Sequence, residues 1–140
     1  MAKEHLKNRE PLSYFHDSFR LVYVENTGAA MSLGDNLPKT ASRWLLSIAP
    51  LIILLILFGY TIRKSKEMKM QKMLALSLIF AGGMGNVMDR LLFDGHVTDF
   101  MNVGYRNFRR GIFNFADVCV TAGVLCFLIY HRKTNPSRLT

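Results

Sequence analysis

The apolar residues of this chain gather in three blocks, and most of the charged residues lie between those blocks. Residues 44–62 carry no charge, and a helix of that length rises about 28 Å, enough to cross the hydrocarbon core of a bilayer. Residues 73–88 form a shorter block, and residues 112–130 form a third that contains one charge, Asp117. The pattern predicts a mainly α, polytopic membrane protein with three transmembrane helices in this chain.

The second block is rich in small residues, namely Ala81, Gly82, Gly83 and Gly85. Small side chains let helix backbones approach closely in lipid, where packing must replace the hydrophobic effect. We therefore expect the second helix to pack closely against its neighbours.

The residues before the first block follow a different pattern. Residues 19–24 (FRLVYV) alternate as a half-buried strand does, and Asn26-Thr27-Gly28 follows as a turn signal. We expect residues 1–43 to form a small extracytoplasmic β cradle. The length of 140 residues indicates one membrane-embedded domain over the whole chain.

The formal net charge of +8 would suggest a nucleic-acid partner in a soluble protein. Here the basic residues concentrate at the ends of the apolar blocks, as is typical of membrane topology. The sequence contains no Gly-rich phosphate loop, zinc-finger spacing or RNA-binding aromatic motif. We therefore expect membrane lipid as a partner, and no nucleic acid.

The positive-inside rule orients the predicted helices. Basic residues dominate the segment between the first two blocks and the segment after the third, so both are expected in the cytoplasm. These residues are Arg63, Lys64, Lys66, Lys69 and Lys72, and then His131, Arg132, Lys133 and Arg138. Residues 1–43 and 89–111 are then expected to face the outside.

Residues 1–43 contain no apolar signal-peptide core that would carry them across the membrane. We therefore expect an upstream spanning helix of roughly 20 apolar residues and a natural start before Met1. Translocation by another route is the alternative.

An ionisable group inside a span is costly and tends to mark function. Asp117 lies about five residues into the third block, and Asn114 and Thr121 are spaced to share its helix face. Asn and Thr could instead form a polar seam that joins helices. A carboxylate is harder to explain in that way.

Asp99 falls in a predicted loop at the outer membrane surface, where a solvated carboxylate is the simpler interpretation. The predicted topology, however, places Asp99 and Asp117 on the same outer side, so the two can meet. Adjacent carboxylates cannot both ionise easily, so one keeps a proton while the other acts as a base. Such a pair could activate water and protonate a leaving amine.

The second block ends in three polar residues, Asn86, Asp89 and Arg90. Asn86 and Arg90 are one helical turn apart and share a face. The simpler interpretation of Asp89 and Arg90 is an interfacial ion pair and anchor. Asn86 lies deeper, where an amide needs partners, and could orient a substrate or a carboxylate.

His96 invites a metal site with the two aspartates. The sequence has no HExxH or paired-histidine spacing, so we expect no metal. Cys119 and Cys126 lie seven residues apart in the third block, which places them about 10 Å apart on a helix, too far for a disulfide.

Three short sequence blocks lie in order at fitting distances from the predicted spans. The first is NTGAAMS at residues 26–32, the second is GGMGNVMDR at residues 82–90, and the third pairs VTDF at residues 97–100 with FNFAD at residues 113–117. Each block is weakly specific, but together they are strongly specific. In these blocks, which cover about residues 20–130, the chain resembles the type II, or lipoprotein, signal peptidases.

The resemblance implies four transmembrane helices with both termini in the cytoplasm of a bacterium. It also implies a monomeric aspartic endopeptidase of the inner membrane, with its active site toward the outer face. Such an enzyme cleaves prolipoprotein signal peptides before a diacylglyceryl-modified cysteine. By this resemblance Asp99 and Asp117 match the catalytic dyad, and no metal or organic cofactor takes part. The positions that match residues lining or supporting the site are Asn26, Gly28, Asn86, Arg90, Asn114 and Ala116.

The chain departs from the family pattern at two places. Met31 stands where the family usually has an aromatic residue, and the Asp and Lys that end the family's first helix have no counterpart here. Three alternatives follow: a catalytically inactive homologue, a transporter or channel subunit with Asn114 and Asp117 on an ion path, or a non-catalytic membrane scaffold. An ion path would favour further ionisable residues at mid-membrane, and the first two apolar blocks offer none there.

Overall fold

The computed structural model describes residues 5–7, 9–28, 38, 40–41, 44–105, 108–109 and 111–134. The chain divides into two compact units. The sheet unit comprises Met1–Ile48 and Val87–Asn114, and the helical unit comprises Ala49–Asn86 and Phe115–Thr140.

The sheet unit is built on antiparallel strands in the order β1, β2, β3 and β4. Their bounds are Leu12–Tyr14 for β1, Phe19–Asn26 for β2, Val97–Tyr105 for β3 and Phe108–Arg109 for β4. The predicted strand and the predicted turn after it are confirmed, because β2 ends at Asn26. In the long β2–β3 pair Val24 lies opposite Asp99 and Asn26 lies opposite Val97.

The turn between β1 and β2, in a stretch too short to classify from the sequence, has an unusual backbone. Phe15, His16 and Asp17 all have positive φ, at 53°, 52° and 67°. The Asp17 carboxylate accepts two hydrogen bonds of 2.5 Å from Arg20 and one of 2.7 Å from Ser13, and it also pairs with Arg109 of β4. The hydrogen bonds from Arg20 and Ser13, with the nearby charge of Arg109, lower the pKa of Asp17. This cluster joins the β1–β2 turn to the far strand of the sheet.

Helices occupy all three predicted blocks. Trp44–Ile48 is a short, wide helical turn that continues into α1, Ala49–Lys64, and the other two helices are α2, Met70–Leu92, and α3, Phe115–Thr134. In the described part of the chain two helical stretches are long and apolar enough to cross a membrane: Trp44–Lys64, with mean hydropathy 2.5, and Phe115–Lys133, with 1.4. The predicted count of three spans is therefore not confirmed, since α2 is absent from that pair.

The structure corrects two expectations about local structure. Asp99 lies in β3, not in a loop, and is only 3% exposed. The sequence pattern hid this strand because buried Asp99 and Asn102 break the alternation that apolar residues alone would show. Asn114 precedes α3, so it does not share a helix face with Asp117 and Thr121. Its neighbour Phe113 instead pairs with Met101 of β3 in extended conformation.

Inside the helical unit the predicted close packing of α2 is confirmed. A Cβ added to Gly82 would overlap the Ala116 carbonyl oxygen of α3 and lie 2.9 Å from Val120. Farther along, a Cβ on Gly123 would lie 2.8 Å from the carbonyl oxygen of Ala75. Later residues of α3 therefore meet earlier residues of α2, which makes the two helices antiparallel.

We predict that Gly82→Ala lowers the free energy of unfolding by about 1–3 kcal/mol, because the methyl group must push α3 away from α2. Gly59→Ala is the matched control, since a Cβ there meets nothing within 4 Å and alanine favours helix by up to about 1 kcal/mol. Thermal unfolding of the two variants in detergent micelles measures the difference. Equal unfolding temperatures would contradict the close approach of the two helices.

Candidate active site

Asp99 is a buried carboxylate held by two asparagine side chains. Asn26 Nδ2 donates to Asp99 Oδ2 at 2.9 Å, and Asn114 Nδ2 donates to Asp99 Oδ1 at 2.8 Å. All three residues are buried, at 8%, 5% and 3% exposed for Asn26, Asn114 and Asp99. Because each carboxylate oxygen accepts an amide donor, the desolvation cost of burying this group is offset and its orientation is fixed.

The local structure around Asn26 explains why its amino group faces Asp99. The Asn26 side-chain oxygen accepts the backbone N–H of Gly28 at 2.9 Å, which forms an Asx turn at the end of β2. The amino group of the same amide donates to Asp99 on the neighbouring strand. The turn after β2 therefore orients the side chain that binds Asp99.

Asn114 is placed by the segment that leads into α3. Phe113 exchanges backbone hydrogen bonds of 2.8 and 2.9 Å with Met101 of β3. This pairing fixes the backbone immediately before Asn114, beside the strand that carries Asp99. This backbone pairing therefore helps to position the Asn114 side chain toward Asp99.

Asp117 lies in the first turn of α3, where the helix dipole favours a negative charge. Asn86 Nδ2 of α2 donates to Asp117 Oδ1 at 2.8 Å. This contact requires α2 and α3 to lie close together. Small residues allow this, because a Cβ on Gly85 would lie only 3.2 Å from the Ala116 Cβ. Ala116 therefore acts through packing beside the carboxylate that follows it.

Arg90 and Asp89 connect the end of α2 to the sheet. Arg90 Nη2 donates to the Gly28 carbonyl oxygen at 2.7 Å, and Asp89 Oδ2 accepts the Thr98 backbone N–H at 3.3 Å. Sequence reasoning missed this role of Asp89, which it interpreted as part of an interfacial ion pair and anchor. No pattern signalled it, because the acceptor binds a backbone group.

The structure thus assembles the expected site residues in two sets. Asp99 belongs to the sheet unit with Asn26, Gly28, Arg90 and Asn114, whereas Asp117 belongs to the helical unit with Asn86 and Ala116. In each set the carboxylate accepts hydrogen bonds from asparagine amides, which orient it. Such a group can gain or lose a proton while its position is kept.

Two residues that the sequence analysis discussed, His96 and Met31, do not belong to either set. In the described ranges no group of three or more His, Cys, Asp or Glu residues could hold a metal ion. His96 Nδ1 lies 2.9 Å from the Phe93 carbonyl oxygen. Met31, where the chain departs from the family pattern, lies outside the described residues.

Comparison with known proteins gives consistent results at the levels of sequence and structure. A family model described as Signal peptidase (SPase) II matches residues 1–132. The lipoprotein signal peptidase of Borrelia duttonii strain Ly is 37% identical over 130 residues, which cover 90% of this chain and 75% of the relative. That of Borreliella burgdorferi strain ZS7 is 36% identical over 122 residues, covering 84% and 70%.

Two solved structures resemble the chain, each described as a bacterial membrane enzyme solved by the in meso method. The one at 2.3 Å resolution has a TM-score of 0.75 and 29% identity, and the match covers 94% of this chain and 75% of the other. The one at 1.9 Å has a TM-score of 0.71 and 29% identity, covering 97% and 80%. The match to the family model over nearly the whole sequence, together with relatives above one-third identity, shows that this chain belongs to the signal peptidase II family.

Proposed function

We propose that this chain is an aspartic endopeptidase that removes signal peptides from diacylglyceryl-modified prolipoproteins, with Asp99 and Asp117 as its catalytic pair. The observation that carries the proposal is that both aspartates of the matching sequence blocks are held by asparagine amides in a member of a protease family. A scaffold would not require two amide-oriented carboxylates.

The proposed chemistry needs one protonated and one ionised carboxyl group. With the two side chains facing one water molecule, the ionised carboxylate removes a proton as the water attacks the scissile carbonyl carbon. The protonated partner donates to the carbonyl oxygen, which gives a tetrahedral diol. As the C–N bond breaks, the carboxyl group that took the proton from water gives it to the leaving amine, and the other carboxylate takes back the proton of a diol hydroxyl. In this mechanism the two carboxyl groups share one proton, and neither residue is assigned it.

The asparagines have a positioning role in this mechanism. A carboxylate that rotates freely loses the alignment on which proton transfer depends, and small displacements in an active site reduce rates steeply. Asn26 and Asn114 each bind one oxygen of Asp99, whereas Asn86 binds one oxygen of Asp117.

Arg90, near the end of α2, supports the turn that follows β2 and contains Gly28. The hydrogen bond from Arg90 to the Gly28 carbonyl oxygen holds the same turn that orients Asn26. We propose that this turn borders the substrate, since family resemblance places Asn26, Gly28 and Arg90 among the residues that line or support the site.

The proposed setting is the bacterial inner membrane, with several spans and the site toward its outer face. The exposed apolar surfaces of Trp44–Lys64 and Phe115–Lys133 support this setting, because only 11% and 6% of their most apolar parts are buried within the protein. A site near the outer surface meets a substrate whose lipid lies in the outer leaflet and whose signal helix spans the bilayer. We propose that the enzyme acts as a monomer without a metal or organic cofactor.

We predict that Asp99→Asn and Asp117→Asn each abolish processing, a loss on the order of 10²- to 10⁴-fold or more, since an amide keeps the shape but cannot transfer the proton. The measurement is conversion of a lipid-modified prolipoprotein by the natural protein in lipid. Asp94→Asn is the matched control, because Asp94 is exposed at φ 52° and asparagine adopts that backbone equally well. Wild-type turnover by either aspartate variant would overturn the assignment.

We predict that Asn114→Leu lowers kcat by about 100-fold, because Asp99 loses the donor on its Oδ1 and with it a fixed orientation. Thr121→Ala should leave kcat unchanged, since Thr121 is exposed on α3. Single-turnover processing, with thermal unfolding measured in parallel, separates orientation from stability. If Thr121→Ala matched the loss caused by Asn114→Leu, a polar helix seam would explain both residues better.

A further inference from the structure

The helical unit has a strongly basic end. The end of α1 and the start of α2 are joined by a short turn, so Lys64 and Met70 lie at the same end of the unit. Because α3 runs antiparallel to α2, as the contacts of Gly82 and Gly123 show, the last turn of α3 also reaches this end. Two stretches that are far apart in sequence therefore form one surface.

We define the basic platform as the charged side chains of this end, in which seven basic residues accompany a single acidic one. They are Arg63, Lys64, Lys66, Lys69, Lys72, Arg132 and Lys133, with Glu67. Lys64 pairs with Glu67 at 2.8 Å, and Lys72 donates to the Tyr60 hydroxyl at 3.1 Å. The other five basic side chains are exposed. A uniform charge of this density repels itself unless an anion covers it.

The residues that border the basic platform indicate which class of anion would cover it. Ile62, Met70 and Leu74, at its border, are 56%, 71% and 55% exposed, an arrangement suited to acyl chains. Tyr60 lies at the same level, with the Lys72 ammonium 5.4 Å from its ring centroid, and amphipathic aromatic rings are enriched where membrane meets water. The exposed cations thus lie immediately beyond an apolar surface.

We propose that the basic platform binds anionic phospholipid headgroups of the leaflet on its side of the membrane. The guanidinium groups of Arg63 and Arg132 suit a phosphate diester, and the lysines add to the local positive potential. Neither Asp99 nor Asp117 takes part. The site is independent of the proposed peptidase chemistry, and a failure of one does not imply a failure of the other.

The test is lipid selectivity of the natural protein in nanodiscs of phosphatidylcholine that contain spin-labelled phosphatidylglycerol or spin-labelled phosphatidylcholine. The wild type is expected to hold the anionic label several-fold more strongly, with the preference falling as salt rises. The triple variant Lys66→Gln, Lys69→Gln, Arg132→Gln should lose most of that preference. Arg9→Gln, which neutralises an exposed cation of the sheet unit, should keep it.

Two further experiments separate the effect of charge from that of structure, and binding of lipid from binding of other anions. The charge-preserving variant Lys66→Arg, Lys69→Arg, Arg132→Lys should retain the selectivity. Inorganic phosphate or a short RNA at the same charge concentration should not displace the labelled lipid. Equal retention of both labels by the wild type, loss of preference in the charge-preserving variant, or displacement by phosphate or RNA would overturn the proposal.

Discussion

The burial of the Asp99 carboxylate is the constraint on which the rest of the structure depends. An ionisable group that is 3% exposed is costly unless its oxygens are satisfied, and the sheet unit satisfies them with Asn26 and Asn114. Asn26 can donate only if β2 ends in its Asx turn, and Asn114 only if Phe113 pairs with Met101. The β2–β3 pairing and the bridge between Phe113 and Met101 thus both bear on how Asp99 is held.

In the helical unit, the contact that orients Asp117 depends on close packing of two helices. Asn86 reaches Asp117 because Gly82 and Gly85 let α2 lie against the first turn of α3. The two arrangements are linked through the chain, since Asn114, a partner of Asp99, comes only three residues before Asp117. Asn114 and Asp117 are thus close in sequence although they belong to different units.

Sequence reasoning succeeded where one physical signal dominated. The apolar blocks predicted the helices, the alternation of residues 19–24 predicted β2, and the glycine cluster predicted close packing. It failed at β3, because a strand that buries Asp99 and Asn102 does not show apolar alternation. The polar contacts of the site were accessible only as expectations, since pairings such as Asn26 with Asp99 join residues 73 positions apart. The acceptor role of Asp89 toward a backbone N–H left no trace in the side-chain pattern.

Pairwise cross-linking in lipid tests most directly the proposal that Asp99 and Asp117 form one catalytic pair. In the natural protein with Cys119→Ala and Cys126→Ala, cysteines replace residues 99 and 117, and a short bifunctional thiol reagent is added. Val118→Cys with Asp99→Cys is the control, because Val118 lies at the same depth but about 100° around α3. The account predicts fast cross-linking of the 99–117 pair and slow cross-linking of the 99–118 pair. Equal rates for the two pairs, or none for the 99–117 pair while each single cysteine still reacts, would contradict the catalytic pair.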